Sequence, residues 1–407
     1  MACLQREIVI VGNSIAGITA AQELRRLVPW RKITILTAEA EGGFYSKPLL
    51  TYFLAQKIQS EQIYIKTAAA IKEQGIEQIT DYKVQAIDVN RRLIVDKQGK
   101  EIQYQKLLIA SGADPVAIDL PGVELKGVTP LRTLEHLQII KARLQQTQKC
   151  AIIGGGLVGL KTAWALRELD KQVSMIISSS YPFSQGLDKR AGEILAAHLI
   201  EHGIELIFGD NPVAFTGSPE QGLTALQTAR GRTLPAGLAV IGKGVNPNSD
   251  FLGREKGIPV NQFQETEYEN IYAAGDVTLA KEKVTGKLRN LALWPVAARQ
   301  GLIAARNMAG YKTAWDDYQP GNSAHFGSLR LITGGLSPLT PAEAEVEVIK
   351  DRGKEYQKLV FLEGTLAGFI LLGASARIAG PLSWGLGSWK KAQALDWFSR
   401  KKAVFVE

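Results

Sequence analysis

Two glycine clusters carry the clearest chemistry in the chain. Gly12, Ser14 and Gly17 follow a β-branched run at residues 8–11, and Gly154, Gly156 and Gly159 follow a similar run at residues 150–153. A glycine-rich turn between strand and helix lets backbone N–H groups approach a pyrophosphate, and the helix N-terminus adds partial positive charge. Each cluster therefore predicts a dinucleotide-binding loop, and two in matching context argue against chance packing turns. Ser14 stands where the middle glycine normally brings backbone closest to phosphate. Its hydroxyl either donates to that phosphate or caps the helix. Glu39 or Glu41, just past the next strand, is placed to accept hydrogen bonds from an adenosine ribose; a solvated surface carboxylate is the alternative for either.

A second constellation is His198, Glu201 and His202, which fits the HxxEH zinc-protease pattern and puts both imidazoles on one helix face. This helix precedes a strand at 204–208 inside the second nucleotide-binding unit, and no third ligand is suggested, so no metal is expected. Cys3 and Cys150 are the only cysteines, too few for a disulfide framework or an iron–sulfur cluster. Redox chemistry must come from a bound cofactor.

The elements that position these loops form two βαβ units. The first runs through residues 8–11, a helix to 27 and a strand at 32–37; the second through 150–153, a helix to 169 and a strand at 172–178. Both have the spacing of a right-handed crossover, and their apolar runs lack alternation, as in parallel strands buried on both faces. Residues 83–104 suggest three short antiparallel strands with a turn at Gln98 and Gly99, followed by a separate apolar strand at 106–110. A strand at 238–241 reads as the return crossing. From Gly321 the pattern changes to hairpins, most clearly 358–362, a turn at Glu363 and Gly364, then 366–372. The expected fold is α/β: two Rossmann-like nucleotide-binding domains, one of residues 1–114 and 243–320 split around another of 115–242, plus a small α+β domain at 321–407.

Composition agrees. The chain has 407 residues, 45% hydrophobic and 22% charged, enough for two or three cores and against disorder. The net charge of +8 is spread along the chain, which favours acidic protein partners over nucleic acid. The most apolar stretch, 365–376, is broken by Gly368 and Gly373 and falls short of the ~20 residues of a membrane span. Arg6 and Glu7 precede an apolar run that reads as a strand and not as a signal peptide, so a cytoplasmic location is expected.

Beyond the loops, YSKPLL at 45–50, LIASGADP at 108–115, LRTLE at 131–135, GVNPN at 244–248, YAAGDV at 272–277, and Trp294 to Gly301 with Asn307 follow in order. With them the chain resembles the pyridine nucleotide-disulfide oxidoreductase superfamily, in its branch of ferredoxin, rubredoxin and nitrite reductase-like flavoproteins. The resemblance implies that the split domain binds FAD, the inserted one NADH or NADPH, and that the last is an interface domain. It places Gly12, Ser14, Ala16 and Gly17 at the FAD pyrophosphate, Glu39 at the ribose, and Asp276 after Gly275 at a ribityl hydroxyl or phosphate. Lys47, Pro48, Ser111, Gly112 and Arg132 fall near FAD, and Trp294 near the flavin. Gly154, Gly156 and Gly159 fall to the nicotinamide nucleotide. A helix from about Val296 would point its N-terminus at the flavin pyrimidine. Arg132 alternatively caps a helix or pairs with Glu135, and Trp294 alternatively belongs to the core.

Departures narrow the expectation. Residues 44–56 hold no cysteine, which sets aside thiol–disulfide and sulfenate chemistry. Many relatives pair a lysine near the flavin with a glutamate past the second loop; those positions are Tyr52 and Lys161 here, unless Lys161 lies on the helix surface. The run Ser178, Ser179, Ser180 lacks both the acid expected for NADH and an arginine for NADPH. The expected activity is hydride transfer from NAD(P)H to FAD, then single electrons to an acidic iron-sulfur carrier such as ferredoxin or rubredoxin. The alternatives are a peroxide-forming NADH oxidase and an FAD-bound structural or regulatory subunit with weak nicotinamide use. The hairpin-rich C-terminal part forms a homodimer surface or covers the flavin edge.

Overall fold

The computed structural model describes residues 4–282, 286–315, 321–336 and 342–402; Cys3 lies outside them. The chain divides into two compact units, one of Met1–Leu49, Gln59–Asp114 and Val245–Tyr318, the other of Leu50–Ile58, Pro115–Gly244 and Gln319–Glu407.

In the first unit, Leu4–Val11 forms the parallel centre of a seven-stranded sheet, between Ile33–Leu36 and Glu101–Ile109. The expected strands at 102–104 and 106–110 are one nine-residue strand, Glu101–Ile109. Its register with Leu4–Val11 runs from Leu4 opposite Ile102 to Val11 opposite Ile109. The first half alternates because it also pairs antiparallel with Leu93–Asp96, whereas Leu107 to Ile109 is buried on both faces and pairs parallel with Ile271–Ala273. That switch of period at exposed Gln105 is what makes one strand look like two.

The helices Ile15–Leu27 and Trp294–Met308 cover one face of this sheet, with Ala20, Ala21, Ala304 and Ala305 in a shared core with Ile8, Ile10 and Leu24. Small residues bring the helices close: a Cβ on Gly301 would lie 2.2 Å from the Ala16 carbonyl oxygen. Between them Glu23, 9% exposed, accepts from Arg26 Nε and Arg306 Nε, each at 2.8 Å.

In the second unit, a five-stranded parallel sheet runs in the order Val128–Pro130, Leu238–Ile241, Lys149–Ile153, Gln172–Ile177, Ile204–Phe208. An antiparallel sheet of Pro212–Ser218, Gly222–Thr228 and Thr233–Pro235, which the sequence reading passed over, packs Phe215, Leu223 and Leu226 against Ala151, Ile153 and Ala239. The same unit holds a five-stranded antiparallel sheet, Asn322–Phe326, Leu329–Gly335, Thr365–Leu372, Glu355–Leu362 and Glu345–Arg352, including the expected hairpin at Glu363 and Gly364. Phe361, Phe369 and Leu371 from this sheet pack with Leu382 and Phe398 of the terminal helices. Asp188 accepts from Tyr356 Oη at 2.8 Å and pairs with Lys358 at 3.0 Å, and Arg190 pairs with Asp351 at 2.7 Å. No helix among the described residues is long and apolar enough to cross a membrane.

The Glu23 pairing gives a pH test. The hydrogen bond from Arg26, followed by that from Arg306, holds the Glu23 carboxyl down at about 2, against an ordinary 4.5. A carboxyl depressed on folding contributes stability that is present above its unfolded value and lost as pH falls through the folded one. Urea unfolding should show Glu23→Gln less stable by about 1–3 kcal/mol at pH 7, with the gap to the unaltered chain closing between pH 4.5 and about 2. A gap that does not change with pH would show that the ion pairs contribute nothing.

Candidate functional site

The first loop is built by backbone crowding. Gly12 has φ +114°, and a Cβ there would lie 2.0 Å from the Ala110 carbonyl oxygen; a Cβ on Gly17 would lie 2.0 Å from that of Gly12. Only glycine lets strand, turn and helix close this tightly. Ser14 occupies the N-cap of Ile15–Leu27 but makes no side-chain capping bond, and no acid lies in the first turn. Its hydroxyl and the helix N–H groups are therefore available to an anion. Asn13 does the local tethering: it donates to the Gly43 carbonyl, while Gln78 Nε2 donates to Asn13 Oδ1 at 2.9 Å and Gly43 N–H to Gln78 Oε1 at 3.3 Å. The sequence reading missed Asn13 and Gln78, since no local pattern links residues 65 apart.

Around this loop the unit gathers polar groups. Glu39 is half-buried and accepts from Tyr45 Oη at 3.1 Å, while exposed Glu41 accepts from Tyr64 Oη at 3.0 Å. Lys47 and Pro48 lie in the 3-10 turn Lys47–Leu49. Ser111 Oγ donates to the Asn248 carbonyl at 2.7 Å, and Asn248 N–H to that of Gly112 at 2.9 Å, tying the two ends of the unit's chain. Gly275, at φ +85°, brings half-buried Asp276 beside the first loop: a Cβ on Gly275 would be 3.1 Å from Ala16 Cβ. Gln300, 1% exposed, accepts from Gly275 N–H at 2.8 Å, while its Nε2 has no partner. Trp294 opens its helix two residues earlier than expected, with Pro295 in the first turn and no acid, and stacks on Phe44 at 5.8 Å and 11°. Trp294 packs at the margin of the core and not within it.

In the second unit the device recurs. Gly154 has φ +111°, and a Cβ there would lie 2.3 Å from the Gly242 carbonyl oxygen; one on Gly159 would lie 2.5 Å from that of Gly154. Gly156, the N-cap of Leu157–Glu168, has an ordinary φ of −77°, and a Cβ there would meet nothing within 4 Å. Gly154 and Gly159 are thus demanded by chain closure, whereas Gly156 leaves room above the helix N-terminus. Ser178 is exposed, and Ser179 Oγ donates to the Tyr181 carbonyl at 2.7 Å. Thr133 caps the helix Leu134–Leu144 through His136 N–H at 3.2 Å, so this is not the task of half-buried Arg132.

Tyr52 and Lys161 line one cavity of about 30 Å³ with Trp164, Glu168, Lys57 and His325. Tyr52 Oη lies 3.2 Å from His325 Nε2, and Lys57 pairs with Glu168 at 2.5 Å. Lys161 is half-buried, off the open helix surface, and among the described residues no hydrogen bond or ion pair engages it. Burial lowers its pKa and raises that of Tyr52; burial, then the charge of Lys161, lowers that of His325. The pocket therefore presents one unpaired cation beside a neutral phenol and a neutral imidazole. His325 escaped sequence reading because it comes from the distant strand Asn322–Phe326. A larger cleft of about 300 Å³, lined by Arg167, Lys171, Ser174 and Glu205, opens at the other end of the parallel strands from the glycine loop, the end that α/β sheets do not use for ligands.

The family model for pyridine nucleotide-disulphide oxidoreductases matches residues 6–301. The assimilatory nitrate reductase electron transfer subunit of Bacillus subtilis (strain 168) is 26% identical over 377 residues, covering 91% of this chain and 48% of that protein. The rubredoxin-NAD(+) reductase of Ectopseudomonas oleovorans is 26% identical over 382 residues, covering 90% and 99%. The chain spans about half the length of the Bacillus relative. In fold, the ferredoxin reductase for the CYP199A2 system from Rhodopseudomonas palustris superposes with a TM-score of 0.86 at 24% identity, covering 98% and 99%. With both dinucleotide loops inside the matched span, the chain belongs to the pyridine nucleotide-disulphide oxidoreductase family, whose cofactors are FAD and NAD(P)H.

Proposed function

We propose that this protein is an NAD(P)H-dependent flavoprotein reductase that hands single electrons to an acidic iron-sulfur protein of the ferredoxin or rubredoxin kind, acting in the cytoplasm. One observation carries the reading: among the described residues no reactive thiol accompanies the two glycine loops to receive electrons. Residues 44–56 contain no cysteine, and burial pushes the Cys150 thiol up to about 12, leaving it inert at neutral pH. Electrons then leave the protein. The rubredoxin and nitrate-reductase relatives transfer electrons onward, and a net charge of +8 suits an acidic carrier.

The first unit's residues fit FAD. The unspent Ser14 hydroxyl, the acid-free helix start and the orphaned Gln300 N–H are donors for phosphate and sugar oxygens, and Glu39 and Asp276 are acceptors for hydroxyls. The N-terminus of Trp294–Met308 offers partial positive charge. Bound FAD supplies the conversion of a two-electron hydride into single electrons, so the protein needs orientation and water exclusion and no acid–base dyad. In the second unit Gly156 leaves space for the nucleotide phosphates. Lys161 sets the local charge: a cation repels the oxidised, positively charged nicotinamide and leaves the neutral reduced form unaffected, which promotes release of NAD(P)⁺.

Anaerobic mixing with NADH and with NADPH tests the reductase reading: flavin absorbance should bleach within seconds with at least one, and no bleaching with either leaves an FAD-bound structural subunit. Adding ferredoxin or rubredoxin should then speed turnover well above oxygen uptake; turnover that oxygen alone sustains, with peroxide as product, means an oxidase. Lys161→Glu should tighten product inhibition by NAD(P)⁺ by on the order of tenfold, about 1.4 kcal/mol, with FAD content unchanged. Gly156→Val should raise KM for the nicotinamide nucleotide by roughly tenfold or more with the chain still folded and its FAD content unchanged, because the added Cβ meets no protein atom within 4 Å.

A further inference from the structure

The HxxEH segment gains in three dimensions what it lacked in sequence. His198, Glu201 and His202 sit at the end of the helix Lys189–Glu201, and one ligand atom of each lies within 4.8 Å of the others. The expectation of no metal rested on the helix's place inside the nucleotide-binding unit and on the want of a third ligand; Glu201 itself supplies the ligand.

Backbone hydrogen bonds set the imidazole tautomers. His198 Nε2 lies 2.7 Å from the Phe326 carbonyl oxygen, and His202 Nδ1 lies 2.8 Å from that of His198. A carbonyl only accepts, so both of these nitrogens carry hydrogen. The other nitrogen of each ring, His198 Nδ1 and His202 Nε2, is then left to a ligand. A histidine whose second nitrogen donates to a backbone carbonyl is oriented as metal-ligating histidines are.

Independently, His198 is 0% exposed and its Nδ1 has no hydrogen-bond partner. The group it faces is the Glu201 carboxylate, with Oε2 at 4.0 Å. The 4.0 Å between His198 Nδ1 and Glu201 Oε2, the latter already accepting from Lys354, leaves room for an ion between the two atoms. Bonds of about 2.0–2.2 Å from nitrogen and oxygen to a zinc-like ion span it, and a small rotation of exposed Glu201 narrows the angle. Lys354, which donates to Glu201 Oε2 at 2.6 Å, is itself half-exposed and fixes the carboxylate in the manner of an outer hydrogen-bond partner. Trp164 stacks on His198 at 5.7 Å and 12° and lies 5.1 Å from His202, which closes the site on one side.

We propose that His198, Glu201 and His202 form a binding site for a divalent first-row transition ion, with zinc, copper or nickel as the class that two imidazoles and a carboxylate select. Solvent completes the coordination on the side of exposed His202. Because His198 also holds the Phe326 carbonyl, the ion braces the helix against the strand Asn322–Phe326. The role is structural and rests on residues separate from the dinucleotide loops.

Equilibrium dialysis of the tag-free, FAD-loaded chain against zinc chloride, with metal content measured afterwards, is the test. About one zinc per chain is expected, and His202→Ala, a change at an exposed residue, should weaken binding by tenfold or more. Copper(II) should quench part of the tryptophan fluorescence, and Trp164→Phe should remove that part. Zinc retained equally by His202→Ala, or no zinc bound above background, overturns the site. A melting temperature for His202→Ala that matches the zinc-free parent verifies that the variant is folded, so lost binding reports lost ligands.

Discussion

Backbone packed against backbone, at distances no side chain tolerates, is the constraint on which the rest of this protein depends. At Gly12 and Gly17 in one unit, and at Gly154 and Gly159 in the other, a methyl group would sit 2.0 to 2.5 Å from a carbonyl oxygen. That closeness turns the chain directly from a buried strand into a helix, so the helix begins at the carboxyl edge of the sheet with its first N–H groups bare. A positive φ at Gly12 and Gly154 completes the turn. The geometry proposed to cradle phosphate is therefore a consequence of chain closure, and it needs little from side chains. Ser14 can stand in the first loop because its φ of −99° is one any residue adopts, and Gly156, the N-cap of the second, has an ordinary φ of −77° and open space around a Cβ.

This explains which features could be read in the sequence. Glycines required by steric closure recur at fixed spacing, so both loops and their flanking strands were legible, as was the hairpin at Glu363 and Gly364. The strand Glu101–Ile109 was not, because its two halves have different neighbours and hence different periods. The antiparallel sheet from Pro212 to Pro235 escaped because its half-exposed strands carry a weak pattern and two register shifts. Side chains that work through distant partners were silent as well. Asn13 with Gln78, and Tyr52 with His325, join residues 65 and 273 apart, and no local rule connects them.

The pocket of Lys161 follows a different logic from the loops. Nothing about chain closure demands a particular charge at that helix position, so substitution there alters electrostatics without disturbing the fold. The result is a half-buried ammonium with no counter-ion among the described residues, next to groups whose own titration is pushed toward neutrality by burial. A buried unpaired charge is costly to keep, and in the proposed function that cost is offset when the oxidised nicotinamide is expelled.

The two kinds of site also differ in what limits them. A phosphate cradle made of peptide N–H groups is insensitive to pH and to most surface substitutions, so it is shared across chemistries that the family performs. Choice among those chemistries then falls to a few side chains beside the reacting centre, and to the thiols that are present or missing. In this chain the thiol at that place is gone and the only described cysteine is buried in a strand. Under the proposed reductase function, with no described thiol to act as acceptor, the rate at which electrons depart depends on what docks at the surface, and discrimination moves from covalent chemistry to protein–protein recognition. In the proposed function the net charge of +8 and the lack of a cysteine in residues 44–56 act together, the first attracting an acidic carrier and the second leaving that carrier as the acceptor.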